Sequence, residues 1–145
     1  MTLSEYRDQF LEYIEIEKGR SHLTVRNYNH YITRFIDFLK SETPSDINDK
    51  VMREYRLYLN RLPSTAKKNS ATLDKRTQNY HMIALRAFFK YLRKRGVAIY
   101  DPEKIELAKT PGRELDLITD KELERLFSAP DQKNVSGLRD SAILA

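Results

Sequence analysis

The stretch that decides the fold of this chain is residues 72–95, which read TLDKRTQNYHMIALRAFFKYLRKR. Its side chains recur at steps of three and four, the spacing that aligns them along one side of an α-helix. One side offers mainly cations and amides and consists of Lys75, Asn79, Met82, Arg86, Lys90 and Arg93. The opposite side, which we expect to be buried, consists of Tyr80, Ala84, Ala87, Phe88 and Tyr91.

Positive charge is concentrated in this helix and just before it. Residues 61–95 contain ten Lys or Arg and a single acid, Asp74, within a chain of net charge +5. Residues 1–19 instead contain five acids and two bases. This separation predicts a molecule with two electrically different sides, of which the basic one faces a polyanion, most simply DNA.

Composition excludes several classes of protein. The chain has no cysteine, so it has neither disulfides nor thiolate metal sites. No apolar run approaches the roughly 20 residues that cross a membrane, and the N-terminus has acids where a signal peptide has cations. No two of the three His lie three or four residues apart, and the four Gly form no phosphate loop. We therefore expect a soluble, cytoplasmic protein without a metal or another cofactor.

Three further amphipathic helices are predicted before residue 72, at 4–18, from 21 or 24 to 41, and at 49–61. Four such helices with short connections predict an all-α bundle over residues 1–100. The turn signal Asp101-Pro102 and the lack of a clear period after it indicate a linker at 101–118. Residues 119–145 are typical of the truncated helical start of a second domain, opened by Thr119 and Glu122 at capping-box spacing.

Several short motifs, taken in order, resemble those of a known family. They are Ser21-x-x-Thr24-x-x-x-Tyr28, Phe35-Ile36-x-Phe38-Leu39, Leu85-Arg86-x-Phe88-Phe89-x-Tyr91-Leu92, Leu117-x-Thr119-x-x-Glu122-x-x-x-Leu126 and Gly137-Leu138-Arg139-Asp140. Together they resemble the core-binding domain of tyrosine recombinases and the entry into the catalytic domain, of the Xer type or of related phage and transposon integrases. Asp101-Pro102 departs from the Asn-Pro that is usual in the family at this place.

The resemblance implies a SAM-like helical fold that forms half of a C-shaped clamp around DNA. It also implies strand exchange by a tyrosine nucleophile in the larger second domain, with Arg, Lys and His around the scissile phosphate. Those family residues fall after residue 145, and Arg139 matches an earlier helix instead of the first catalytic arginine. We therefore expect a DNA-binding chain that is catalytically incomplete. The implied partners are double-stranded recombination half-sites and other recombinase protomers on DNA.

The candidate DNA-binding residues lie on the second and fourth predicted helices, which the resemblance places together in the groove, and in the loop before the fourth. They are His22, Thr24, Arg26, Asn27, His30, Arg34, Lys67, Lys68, Lys75, Arg76, Gln78, Asn79, Met82, Arg86, Lys90 and Arg93. We expect most of the cations to hold phosphates, and Gln78, Asn79 and Arg86 to reach base edges. Met82 either contacts a thymine methyl group or packs inside the protein.

Other interpretations stay open from the sequence alone. A basic stripe is also compatible with a solvated helix face, because the stems of Lys and Arg cover apolar surface. A stand-alone helical DNA-binding regulator would have the same charge pattern. So would a helical protein-interaction module whose basic face meets an acidic partner.

Overall fold

The computed structural model of the protein describes residues 1–63, 72–110 and 117–144. The chain divides into two compact units, Met1–Thr110 and Pro111–Ala145. The described residues form helices and connecting turns without any strand, which confirms the all-α prediction.

Four α-helices build the first unit, as the sequence predicts. They are α1 (Leu3–Glu12), α2 (His22–Leu39), α3 (Asp49–Arg61) and α4 (Lys75–Lys94). Short helical turns occur at Tyr13–Glu17, which is a π-helix, and at Pro44–Asp46 and Pro102–Lys104, which are 3₁₀-helices. The first predicted helix therefore changes from α to π form at Tyr13, because its last amides bond to carbonyls five or six residues back.

Local signals explain where these helices begin and end. Thr2 and Glu5 form a reciprocal capping box at the start of α1, and the side chains of Ser21, Asn48 and Asp74 accept hydrogen bonds from the first turns of α2, α3 and α4. Gly96 follows α4 with φ at +78°, a left-handed conformation in which glycine carries no steric penalty.

The core of the first unit is aromatic and centres on α4. The rings of Phe35 and Tyr55 lie 4.9 Å apart between α2 and α3, and the rings of Phe10 and Phe88 lie 5.5 Å apart between α1 and α4. The buried side chains of α4 are His81, Met82, Ala84, Leu85, Phe88, Phe89, Tyr91 and Leu92.

This pattern corrects the predicted burial of α4 at two positions. Tyr80, which we expected in the core, is 54% exposed, whereas Met82, which we placed among the DNA-facing residues, is 4% exposed. The buried side of α4 is centred one residue further along the chain than predicted. This corresponds to a rotation of about 100° around the helix axis. The physical reason is that α1, α2 and α3 all pack against α4, so these three neighbours together, and not the apolar spacing of α4 alone, set which of its sides is buried.

Residues 101–108, here called the strap, pack along α4 in the first unit. Ile105 and Pro102 are buried, and the guanidinium of Arg56 donates to the carbonyl of Glu106 at 2.8 Å. The first compact unit therefore extends to Thr110 and includes the strap as well as the four helices. The division into a helical domain at 1–100 and a linker at 101–118 stays a prediction.

The second unit contains two described helices, α5 (Asp120–Ser128) and α6 (Val135–Leu144). Thr119 and Glu122 form the capping box that the sequence predicts at the start of α5. Within this unit the apolar side chains of Leu123, Leu126 and Phe127 remain partly exposed, so they have little core of their own to join.

Candidate nucleic-acid interface

The predicted polar stripe of α4 lies against the strap. The side-chain amide of Asn79 donates to the carbonyl of Ala108 at 2.9 Å and accepts from its backbone N–H at 2.9 Å. The guanidinium of Arg86 donates to the carbonyl of Ile105. Lys90 pairs with Glu103 at 2.8 Å, and Arg93 pairs with Asp101 at 2.6 Å. The strap thus engages four side chains of the stripe.

These interactions correct the expectation of one continuous stripe that is open to solvent. All three side chains expected to reach base edges form hydrogen bonds within the protein, since Gln78 donates to the carbonyl of Leu73 at 2.7 Å. Lys90 and Arg93 have carboxylate partners, and Met82 belongs to the core. Among the α4 candidates, this leaves Lys75 and Arg76 exposed without a carboxylate partner among the described residues.

The candidates on α2 occupy its outward side. Arg26, Asn27 and His30 are exposed, and Thr24 and Arg34 are half-buried. His22 is also exposed, with its Nδ1 atom 3.5 Å from the carboxylate of Glu15. The hydroxyl of Thr24 lies 3.0 Å from that of Ser21, so this side chain helps to close the first turn of the helix. Lys67 and Lys68 lie outside the described residues.

Helices α2 and α4 meet around a cluster of rings. The rings of Tyr31 and His81 lie 4.4 Å apart, and the rings of His30 and His81 lie 6.1 Å apart. Burial, helped by the positive charge of Arg34, lowers the pKa of His81 to about 4 and also lowers the pKa of His30. Arg34 therefore lies close enough to His81 and His30 for its charge to lower the pKa of both.

Beside the strap, α4 has a second outward side that periodicity did not single out. It consists of the exposed residues Arg76, Tyr80, Ile83 and Lys94 and of the half-buried Ala87, which recur at helical spacing. Burial is the main cause of the raised pKa of Tyr31 in α2. Tyr80 lies close enough to Tyr31 to raise this pKa further. At the other end, Ala87 and Lys94 line one cleft together with Thr24 and Tyr28 of α2.

The two outward sides therefore form one surface, here called the α2–α4 surface. It consists of Thr24, Arg26, Asn27, His30 and Arg34 from α2, and of Arg76, Tyr80, Ile83, Ala87 and Lys94 from α4. Within residues 1–63, 72–110 and 117–144, no carboxylate lies within 4.0 Å of its three arginines or of Lys94. Tyr80 and Ile83 were missed because periodicity alone does not tell which of two adjacent helical rows is buried.

The described part of the chain contains neither a candidate membrane-spanning helix nor a candidate metal-binding group. No described helix is both long and apolar enough to span a membrane. No group of three or more His, Asp or Glu side chains in that part is placed to hold a metal ion.

Comparison with known proteins places the chain in a family. The family model described as phage integrase, N-terminal SAM-like domain matches residues 8–96, which include all of α2, α3 and α4. The chain is 32% identical over 143 residues to "Tyrosine recombinase XerC" of Oceanobacillus iheyensis and 30% identical over 136 residues to that of Bacillus subtilis. It is 26% identical over 143 residues to "Tyrosine recombinase XerD" of Listeria innocua.

These matches cover 98%, 93% and 98% of this chain but only 45%, 43% and 46% of the relatives, so the chain spans a little under half of their length. The region matched by the family model includes both helices of the α2–α4 surface. The chain therefore belongs to the tyrosine recombinases, as a member of the phage integrase N-terminal SAM-like domain family.

Proposed function

We propose that this chain binds duplex DNA through the α2–α4 surface, as the core-binding part of a site-specific tyrosine recombinase. The observation that carries the proposal is a group of four cations on two packed helices, without intramolecular ion pairs in the described part of the chain. Arg26, Arg34, Arg76 and Lys94 stand on two adjoining helices and have no carboxylate within 4.0 Å there. Cations without intramolecular partners are suited to the phosphates of a duplex.

The exposed cations and polar groups on two helices favour entry into the major groove, which is wide enough for an α-helix. Arg26, Arg34 and Arg76 are suited to phosphates because a guanidinium donates two parallel hydrogen bonds. Asn27 and His30 are exposed polar groups of α2 and are the best placed to reach base edges. Lys75 remains a phosphate candidate at the N-terminus of α4.

The assignment of base-reading residues differs from that expected from the sequence. Asn79 and Arg86 hold the strap, so their donors would have to leave backbone partners before they reached DNA. Such a transfer costs the hydrogen bonds already made. We therefore assign sequence readout first to α2 and to Tyr80 and Ile83 of α4, whose large side chains are exposed.

Binding of this chain to duplexes selected from a random-sequence library tests the proposal. We expect the double substitution Arg34→Ala, Arg76→Ala to weaken binding and to reduce the slope of log K against log salt by about 0.9 for each phosphate that the variant no longer neutralises. The matched control is Lys50→Ala, Lys121→Ala, two exposed lysines outside the α2–α4 surface. Equal affinity of both double variants would contradict the proposed interface.

The relatives are named tyrosine recombinases, and we infer that this chain contributes DNA binding without DNA cleavage. A nicked suicide duplex traps the tyrosine–DNA bond that a competent recombinase forms. We expect no covalent product with this chain. A covalent adduct that disappears on substitution of one tyrosine would show that the chain carries its own nucleophile.

Self-association on DNA follows from the same proposal, because recombinases act as several protomers on paired half-sites. A duplex with two adjacent copies of the selected site should bind a second molecule of this chain at least as tightly as the first. Sedimentation of the chain with one-site and two-site duplexes measures this.

A further inference from the structure

The first unit contains a cleft of about 470 Å³ between the π-helical turn, the start of α2 and the end of α4. Its floor is aromatic. The rings of Tyr13 and Tyr91 lie 4.9 Å apart, those of Phe10 and Tyr91 lie 5.3 Å apart, and those of Phe10 and Tyr28 lie 6.0 Å apart. This volume falls in the range of pockets that hold a small ligand or a large side chain.

Cations dominate the rim of the cleft. They are Lys18, Arg20, Lys90, Lys94 and Arg95, against one carboxylate, Glu17. Lys90 pairs with Glu103, but the other four cations have no carboxylate within 4.0 Å among the residues that the structure describes. The guanidinium of Arg95 lies 4.3 Å from the centre of the Tyr91 ring, so it stands over the aromatic floor.

Tyr91 supplies a second, independent observation. Its ring lines the cleft, and the residue is only 6% exposed. Its hydroxyl has no hydrogen-bond partner within the described ranges of the chain. A buried hydroxyl without a partner is unfavourable. Because this hydroxyl is closed to solvent, a carbonyl or carboxylate that enters the cleft accepts from it only after neighbouring side chains move.

The π-helical turn shapes the mouth of the cleft. The backbone N–H of Lys18 donates to the carbonyl of Tyr13 at 3.2 Å, and that of Arg20 donates to the carbonyl of Ile14 at 3.0 Å. These wide turns carry the chain around the floor and bring Lys18 and Arg20 to its edge. Turns of the π form occur frequently at functional sites.

We propose that this cleft binds a short acidic segment of a partner protein, which inserts one aromatic or branched aliphatic side chain against the tyrosine and phenylalanine floor. Charge complementarity with the four unpaired cations supports an acidic partner. The concave apolar floor favours a peptide over a duplex, because an intact duplex keeps its apolar base faces stacked inside and presents phosphates outward.

Selection from a phage-displayed library of short random peptides, followed by fluorescence anisotropy with the selected peptide, tests the proposal on the full chain without DNA. We expect the selected peptides to share acidic residues around one aromatic or branched aliphatic residue. Selected peptides without a shared acidic and apolar pattern would overturn the proposal.

Two variants then test the location. Ala87→Trp fills the cleft from the side of α4, and Lys18→Glu, Lys94→Glu reverses the charge of two of the five rim cations without a change in the buried floor. We expect each to weaken binding of the selected peptide by about tenfold or more. The matched control is Lys121→Glu, Lys133→Glu, which changes the same charge on exposed lysines of the second unit. Equal affinity of all three variants would overturn the proposal.

Duplex binding keeps this proposal distinguishable from the proposed function. Arg34→Ala, Arg76→Ala should weaken duplex binding and leave peptide binding unchanged, because neither arginine lines the cleft. If Ala87→Trp weakened duplex binding while no acidic peptide bound the wild-type chain, the cleft would belong to the DNA interface and the peptide proposal would be wrong.

Discussion

His81 is a fully buried polar side chain at the junction of α2, α3 and α4. The hydroxyl of Tyr55 lies 3.3 Å from its Nδ1 atom, and its Nε2 atom has no partner among the described residues. Burial is the largest cause of its lowered pKa, followed by the charges of Arg34 and His30. The folded protein therefore holds this imidazole in its neutral form beneath the α2–α4 surface.

The titration of His81 predicts how stability depends on pH. Its pKa is about 4 in the folded chain and 6.5 as an ordinary histidine, so the unfolded chain binds more protons between these values. This contribution to stability is complete above pH 6.5 and is lost as the pH falls towards 4. Urea unfolding from about pH 7 to about pH 4 measures the effect. We expect His81→Phe to reduce this part of the pH dependence.

The rotation of α4 predicts two contrasting substitutions. Phe88→Ala removes a fully buried ring and should lower the free energy of unfolding by about 3–5 kcal/mol. Tyr80→Ala, on the same helix, removes a side chain that is largely in solvent and should cost about 0.5 kcal/mol or less. Urea unfolding of both variants measures the difference. Equal costs would mean that Tyr80 is in the core, as its periodicity first indicated.

At the scale of elements, the strap determines which polar side chains of α4 are available. It contributes two carboxylates, from Asp101 and Glu103, to cations of the stripe, and two backbone segments to Asn79 and Arg86. The pKa of Glu103 is lowered chiefly by its hydrogen bond with Lys90. The strap thus occupies, with its own acids and carbonyls, the side of α4 that the sequence suggested for phosphates.

Asn79 is the residue that anchors the far end of the strap. Its amide makes two hydrogen bonds to the backbone of Ala108, so Asn79→Ala should release this end at a cost of about 1 kcal/mol for each bond. Hydrogen exchange with mass spectrometry should show faster exchange at residues 105–110 and unchanged exchange in α2. Thr77→Ala, a half-buried neighbour on the same helix, is the control. Unchanged exchange at Ala108 would show that the strap is held by its other interactions.

The two acids of the strap also predict an effect on DNA. The double substitution Asp101→Asn, Glu103→Gln removes the carboxylates that neutralise Arg93 and Lys90. Two cations then become free for phosphates, so duplex binding should strengthen, and the salt slope should steepen by up to about 2. The control Asp37→Asn, Glu54→Gln changes the net charge equally at exposed sites of α2 and α3. A gain in affinity of the same size in the control would indicate net charge alone as the cause.

At the scale of the whole molecule, the two units differ in how much core they have. The first buries a cluster of large aromatic and aliphatic side chains drawn from all four of its helices. In the second, Gly137 is the one buried residue among those described in α5 and α6. Since burial of apolar area is the main favourable term in folding, the second unit should have little stability by itself.

This difference predicts two levels of protection in hydrogen exchange. Amides of α5 and α6 should exchange at the earliest times, while those of α4 should exchange only through unfolding of the first unit. A urea concentration well below the unfolding midpoint should leave the amides of α4 protected from hydrogen exchange. Protection of α5 equal to that of α4 would show that the second unit has packing interactions beyond those within it.

The positions of the helices, several of their caps and the family could be predicted from the order of the residues alone. Thr2, Asn48 and Thr119 cap helices through neighbours within three residues, so the pattern of a few adjacent positions is sufficient to predict them. The same local pattern also indicated that α4 has a buried and a polar side.

Which side chains those sides expose depends instead on contacts between distant parts of the chain. Asn79 meets Ala108 and Arg86 meets Ile105, across 29 and 19 positions of the chain, and no local period encodes such pairs. The burial of Met82 and the exposure of Tyr80 likewise follow from three helices that pack around α4 together. Periodicity is a property of one helix, whereas burial depends on every segment that packs against it, and for that reason the α2–α4 surface emerged only from the fold.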